Sequence, residues 1–379
     1  MPRVLILHAT VGTGHKTAAN ALAQAFQVRQ PGEVRVVDTL DLTPTFFRKA
    51  YAQSYIDVTS QAPLFWGLFY TQSNIDPDFA EWTNNLRKLM ESVSIVDLEY
   101  LLETFLPEII ICTHFLPMEM LLRLKRRGKL PQPIYCVITD HAAHTFWVYN
   151  DIDGYFVGSQ QVRDQLVVRG VSSAIIHMTG IPINPTIAVP KDRAAIREQR
   201  AIPLDCPLIV LFAGGVSSLK IRTIASNLLK LASPGCLFIV AGRNETLLED
   251  ISDLQPGPTM HLRIEGYIDY VDDLVAASDL AITKAGGLII SEILARGVPM
   301  VIIDPILGHE EWNADYIVVN GAGIQLRMTE MVPAAVGRFL EQSLWLEEMR
   351  RGAAAAGRPR AAHSVAEIII RQFDSKVHA

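Results

Sequence analysis

The sequence predicts an α/β protein built from two Rossmann-like, doubly wound parallel-sheet domains, and three observations carry that expectation. Short apolar runs alternate with helix-length segments along most of the chain. The runs fall into two series, and most are apolar nearly from end to end, as strands covered on both faces require. Prolines at 182, 185, 190 and 203 mark the break between the series as a linker. Strands of the first series are read at 4–8, 33–37, 108–112, 134–138 and 154–157. Those of the second are read at 208–212, 236–240, 262–264, 280–282 and 300–303. Helical patterning covers 17–28, 159–169 and 291–296. The domains are accordingly placed at residues 1–184 and 185–360, with a ligand cleft between them at the carboxyl ends of both sheets. Strand order is not encoded in this pattern.

Composition narrows the function. The 379 residues are 49% hydrophobic and 20% charged, which suits a globular enzyme, and a formal net charge of −6 argues against a nucleic-acid partner. The four cysteines, Cys112, Cys136, Cys206 and Cys236, form no CxxC pair, so a reducing cytoplasm is expected rather than a disulfide framework or zinc ribbon. The N-terminus does not read as a signal peptide, and no apolar run is long enough to span a bilayer. A lipid substrate would therefore be met from the aqueous side. Residues 42–82 are rich in aromatics and read either as a helical insertion packed into the first domain or as a lipid-facing surface. The basic run 123–129 reads either as a solvated helix end or as a contact for anionic head groups worth roughly 1 kcal/mol per charge.

Three segments carry chemistry. The first is the turn after strand 4–8, where Gly12 and Gly14 precede a helix and His15 can take a proton from an attacking hydroxyl. A capping role for His15 is the alternative. The second, after strand 134–138, offers Asp140, His141, His144 and Trp147, suited to orienting an acceptor hydroxyl or His15. Its HxxH spacing lacks a third partner, so no metal is expected. The third runs from 279 to 316. Gly286 and Gly287 open a helix whose amides suit a diphosphate, and Glu292 is placed to grip ribose hydroxyls. The turn that follows strand 300–303 carries His309, Glu310, Glu311 and Asn313, able to hold sugar hydroxyls.

Residues 282–323, ITKAGGLIISEILARGVPMVIIDPILGHEEWNADYIVVNGAG, closely resemble the donor signature of the monogalactosyldiacylglycerol synthase and processive diacylglycerol glucosyltransferase family. That family is similar in turn to the peptidoglycan lipid-intermediate N-acetylglucosaminyltransferase. The blocks VLILHATVGTGHKTAANAL (4–22), VITDHAAHTFW (137–147), TGIPI (179–183) and EGYIDYVDDLVAASDL (265–280) extend the resemblance over nearly the whole chain. It implies a GT-B architecture with the C-terminal helix 361–379 returning to the first domain. It also implies an inverting transfer from a UDP-sugar, without metal or other cofactor, onto a lipid such as diacylglycerol at the cytoplasmic membrane face. In that pattern His15 acts as or near the base, with Asp140, His144 and Trp147 beside it. Gly214, Gly215, Ser217, Arg243, Ile268, Lys284, Gly286, Gly287, Glu292, His309, Glu310 and Asn313 belong to the donor side. Two departures stand out. His309 replaces the usual Gln, which leaves glucose versus galactose open, and Ala213-Gly-Gly-Val-Ser-Ser is a leaner glycine loop in which Ser217 and Ser218 could contribute hydroxyls. A nucleotide-sugar epimerase or hydrolase, and a non-catalytic UDP-sugar sensor, are the competing readings.

Overall fold

A computed structural model describes residues 2–10, 12–29, 32–49, 51 and 94–377. The chain forms two compact units: Met1–Thr186 with Leu307–His309 and Arg360–Ala379, and Ile187–Ile306 with Glu310–Pro359.

The first unit holds a six-stranded parallel sheet. Its strands are β1 (Val4–His8), β2 (Val34–Asp38), β3 (Ile109–Cys112), β4 (Ile134–Val137), β5 (Gly154–Val157) and β6 (Ile176–Met178), in spatial order β2-β1-β3-β4-β5-β6. In β1, β3, β4 and β5 side chains alternate between two buried faces, which is why those runs are apolar, whereas the edge strand β2 carries the exposed Arg35. Leu5, Leu7, Ile110, Cys112, Ile134 and Cys136 pack on one face; Val4, Ile6, Ile109, Ile111, Tyr135 and Val137 pack on the other. The second face is covered by the helix Gly14–Arg29 and by the C-terminal helix Ala361–Val377. Ala19, Leu22 and Phe26 of the former share a core with Val365, Ala366 and Ile369 of the latter. Strand order reverses between β1 and β3, and such a switch point opens a crevice for a ligand at the carboxyl ends of the strands.

The second unit repeats the plan with β7 (Leu208–Phe212), β8 (Gly235–Val240), β9 (Met260–Glu265), β10 (Leu280–Thr283), β11 (Met300–Ile303) and β12 (Gly323–Leu326), in order β12-β11-β10-β7-β8-β9. All neighbours are parallel, and the switch point lies between β7 and β10. The edge strands β6 and β12, each following the last expected run of its series, are not expected from the sequence. Both are short, and His177, Ile324, Gln325 and Leu326 are only half-buried, so neither reads as an apolar run.

The basic run takes the first of its two readings, a helix end. It lies at the C-terminal end of the helix Phe115–Arg126, which runs against the strands, so it sits at the edge where the strands begin. Lys125 pairs there at 3.5 Å with Asp153, immediately before β5, and Lys129 pairs with Glu99 at 2.9 Å. The run is thus at the far edge of this sheet from His15. Most of the aromatic region 42–82 lies outside the described residues. Of the part that is described, Phe47 packs on the core and Phe46 is 84% exposed.

One glycine gives a stability prediction. A methyl group added at Gly352, in the helix Ser343–Ala356, would meet the carbonyl oxygens of Gly321 at 2.3 Å and Asn320 at 2.5 Å. Backbone cannot yield cheaply, so Gly352→Ala is expected to cost about 3 kcal/mol. Thermal melting checks this, since a melting temperature equal to the parent's would refute the contact.

Candidate active site

In the first unit, the chain leaves β1, passes Gly12 at φ +100°, and enters its helix at Gly14. Thr17 N–H already bonds the Thr13 carbonyl at 3.0 Å, so the helix starts three residues earlier than its apolar pattern suggests. His15 therefore belongs to the first helical turn, half-buried at the switch point.

Its geometry fixes its chemistry. His15 Nδ1 lies 2.6 Å from the carbonyl oxygen of Thr113, immediately after β3. A carbonyl only accepts, so Nδ1 carries the proton and Nε2 keeps the lone pair. Thr139 Oγ1, at the end of β4, lies 3.0 Å from the same nitrogen, and Thr113 Oγ1 donates to the His15 carbonyl at 2.9 Å. Burial lowers the His15 pKa, while the Asp140 carboxylate and the Thr113 bond oppose that shift. The result is a neutral imidazole at neutral pH, held in the tautomer that presents Nε2 as a base.

Around it stand His114, 4.5 Å away between ring centroids, and Trp147, at 6.4 Å. Trp147 is buried and Asp140 half-buried. His144, expected as a catalytic group, caps a backbone turn through one ring nitrogen. Its Nδ1 accepts from Phe146 N–H at 3.2 Å, which caps the short helical turn Thr145–Trp147. His141 is buried and its pKa is pushed down to about 3 by desolvation. Among the described residues no group of three or more His, Cys, Asp or Glu side chains is placed to hold a metal ion.

In the second unit, the polar groups gather at the carboxyl ends of β7, β10 and β11. The helix Gly287–Ala295 begins at Gly286 without a side-chain cap and without an acidic residue in its first turn. Its leading amides and positive dipole end are left to an anion. By contrast, the helix Ser218–Leu228 is capped by Ser217, whose oxygen accepts from Lys220 N–H at 3.4 Å. The Ser217 hydroxyl expected for the diphosphate is thus engaged by its own helix. Gly214 is exposed, and Gly215 takes φ +74°. The Gly215 carbonyl accepts from Lys284 Nζ at 3.3 Å, and Lys284 also faces Glu310 Oε2 at 3.6 Å.

The turn after β11 is tied to the turn after β10. Asn313, fully buried, donates through Nδ2 to the Ala285 carbonyl at 2.9 Å, and Glu310 Oε2 accepts from Ile306 N–H at 2.7 Å. Asp304 holds a left-handed backbone at φ 46° and pairs with Lys220 at 2.5 Å; neither residue is expected from the sequence. His309 is half-buried at the head of the helix His309–Val319. Arg243 is exposed beside Gly242, its guanidinium 4.6 Å from the Tyr267 ring centroid. Ile268, expected on the donor side, buries its side chain in the core with Phe238 and Leu274.

Glu292 sits in the second turn of the helix that Gly286 opens. Burial, and then the Asp272 carboxylate, push its pKa up to about 7. Asp272 itself stays ionised through Arg296, at 2.7 Å to each oxygen, and through Lys191.

Two parallel doubly wound units with this distribution of groups form a GT-B fold. Acinetobacter baumannii MurG has the same fold at a TM-score of 0.60 and 16% identity, covering 98% of this chain and 100% of that one. The Staphylococcus aureus MnaA–UDP co-structure scores 0.63 at 14% identity, covering 99% and 97%, and UDP-GlcNAc 2-epimerase from Neisseria meningitidis scores 0.60 at 14%, covering 97% and 100%. The fold alone is thus shared with epimerases; sequence separates the two. Residues 15–183 match the family model of monogalactosyldiacylglycerol (MGDG) synthase, and residues 209–365 match the glycosyltransferase family 28 C-terminal domain. The processive diacylglycerol beta-glucosyltransferases of Bacillus mycoides and Bacillus cytotoxicus are 28% and 27% identical, each over 98% of this chain and 94% of theirs. The chain thus resembles the monogalactosyldiacylglycerol synthase and processive diacylglycerol glucosyltransferase family in both of its halves.

Proposed function

We propose that this glycosyltransferase moves a hexose from a UDP-sugar onto the free hydroxyl of diacylglycerol, with inversion and with His15 as the base. The observation that carries this reading is the 2.6 Å bond from His15 Nδ1 to the Thr113 carbonyl, which commits Nε2 to proton acceptance. The acceptor oxygen attacks the anomeric carbon as Nε2 removes its proton, and the bond to the UDP oxygen breaks. Asp140 stabilises the imidazolium that results. In the second unit the uncapped amides at Gly286–Gly287 and the Lys284 ammonium take the diphosphate, so charge on departing UDP is met without a required metal or other cofactor. Glu292 accepts from the ribose hydroxyls, and the turn bearing His309, Glu310 and Asn313 meets the sugar.

The family match favours transfer over epimerisation, and diacylglycerol is the acceptor named for the Bacillus relatives. No helix among the described residues is long and apolar enough to cross a membrane. The protein works from the cytoplasmic face as a peripheral enzyme, with the sheet edge bearing His15 and the exposed Phe46 toward the lipid. Because Arg126 and Arg127 belong to the opposite edge, replacing both by Ser is expected to leave vesicle co-sedimentation unchanged. Loss of binding would reverse that orientation. The function itself is tested by incubating the protein with dioctanoylglycerol and UDP-glucose or UDP-galactose. One donor should yield glycolipid and UDP in equal amounts, whereas UDP release without glycolipid would reject the acceptor.

A further inference from the structure

His114, not singled out by the sequence, stands beside the base and has no part in the transfer as far as His15, Asp140 and the donor groups account for it. It follows β3 at the switch point and meets the His15 ring in a T-shaped contact. Its Nδ1 accepts from Leu116 N–H at 3.0 Å, capping the helix Phe115–Arg126, so the proton of the neutral ring is on Nε2. Nε2–H makes no hydrogen bond among the described residues, although His114 is only 3% exposed. The ring edge keeps slight access to solvent, so this donor stands open, beside the base, to an acceptor on a ligand or water. Burial, then His15 and His8, hold the His114 pKa well below its ordinary value, so it remains a neutral donor while His15 gains a proton.

We propose that His114 is an acceptor-binding residue whose Nε2–H donates to the oxygen on the carbon next to the hydroxyl that His15 deprotonates. This deepens, and rests on, the reading of His15 as base and of a glycerolipid as acceptor. Diacylglycerol carries an ester oxygen at that position, and a plain alcohol carries none. Every hydroxyl of a hexose also has an oxygen on the adjacent carbon, so the same donor serves a glycolipid accepting a second sugar. His114 thereby selects acceptors with two neighbouring oxygens.

The discriminating variant is His114→Asn, because an asparagine oxygen caps a helix well and keeps the Leu116 contact while removing Nε2–H. Binding of dioctanoylglycerol and of octanol is read by tryptophan fluorescence without donor. The variant is expected to bind dioctanoylglycerol about tenfold more weakly, the loss of one hydrogen bond to a buried donor, with octanol binding and the melting temperature unchanged. Equal dioctanoylglycerol affinity in the two proteins would overturn the assignment. So would a parallel loss for both ligands with a lower melting temperature, which would mean that His114 only caps its helix. If the parent protein binds no dioctanoylglycerol, the acceptor reading itself is wrong, and His114 loses its proposed ligand with it.

Discussion

His15→Ala is expected to lower kcat by about 10²- to 10⁴-fold while the KM for the donor stays near the parent value. The size follows from the role. A base positioned on the nucleophile contributes to the transition state and little to donor binding, so the loss belongs in kcat. The pH profile carries the same information. Burial holds the His15 pKa below the ordinary 6.5, with Asp140 opposing. The base is therefore unprotonated at neutral pH, and kcat falls only on the acid side of that value. Asp140→Asn removes the opposing charge, so it moves the acid limb to lower pH. Steady-state kinetics across the acid range checks both expectations, and an unchanged kcat in His15→Ala would remove the histidine from the chemistry.

Glu292 gives the second large effect. Its carboxyl has a pKa of about 7 in the donor-free chain, because burial and Asp272 disfavour its charge. Only the ionised form accepts from both ribose hydroxyls, so affinity for UDP is expected to rise as pH passes through neutrality. Glu292→Gln should flatten that dependence and weaken UDP by about 10- to 100-fold, as expected for losing a charged acceptor. Stability moves the other way. Between 4.5 and about 7 the folded chain keeps a proton that the unfolded chain has lost, so stability declines as pH rises through this window. The decline amounts to at most about 3 kcal/mol. Titration calorimetry with UDP on either side of neutrality, and melting curves over the lower window, read the two trends. A pH-independent UDP affinity in the parent protein would refute the carboxylate's role.

The fold is legible where burial is uniform. Val4–His8, Leu208–Phe212 and Met300–Ile303 are apolar from end to end because both faces of a parallel strand meet core. The strands β6 and β12 are not legible, since an edge strand half-open to solvent loses that signature. His15 is visible in its glycine turn. Its partners are not, because Thr113 and Thr139 lie 98 and 124 residues away and meet it only once β3 and β4 take their places in the sheet. His114 is hidden for the same reason: its importance depends on strand order, which local pattern does not carry. His144 and Ile268 show the converse. Their sequence neighbourhoods are right for a site, but the pattern does not reveal that one side chain caps a turn through Nδ1 and the other fills a core.

The central claim is a single displacement in which a lipid hydroxyl, deprotonated at His15, attacks the anomeric carbon of a UDP-sugar. The most direct measurement is the anomeric configuration of the product, read by NMR after reaction of dioctanoylglycerol with the α-linked UDP-hexose that supports turnover. The account predicts a β-glycoside from the parent protein and its loss in His15→Ala. An α-glycoside would contradict it.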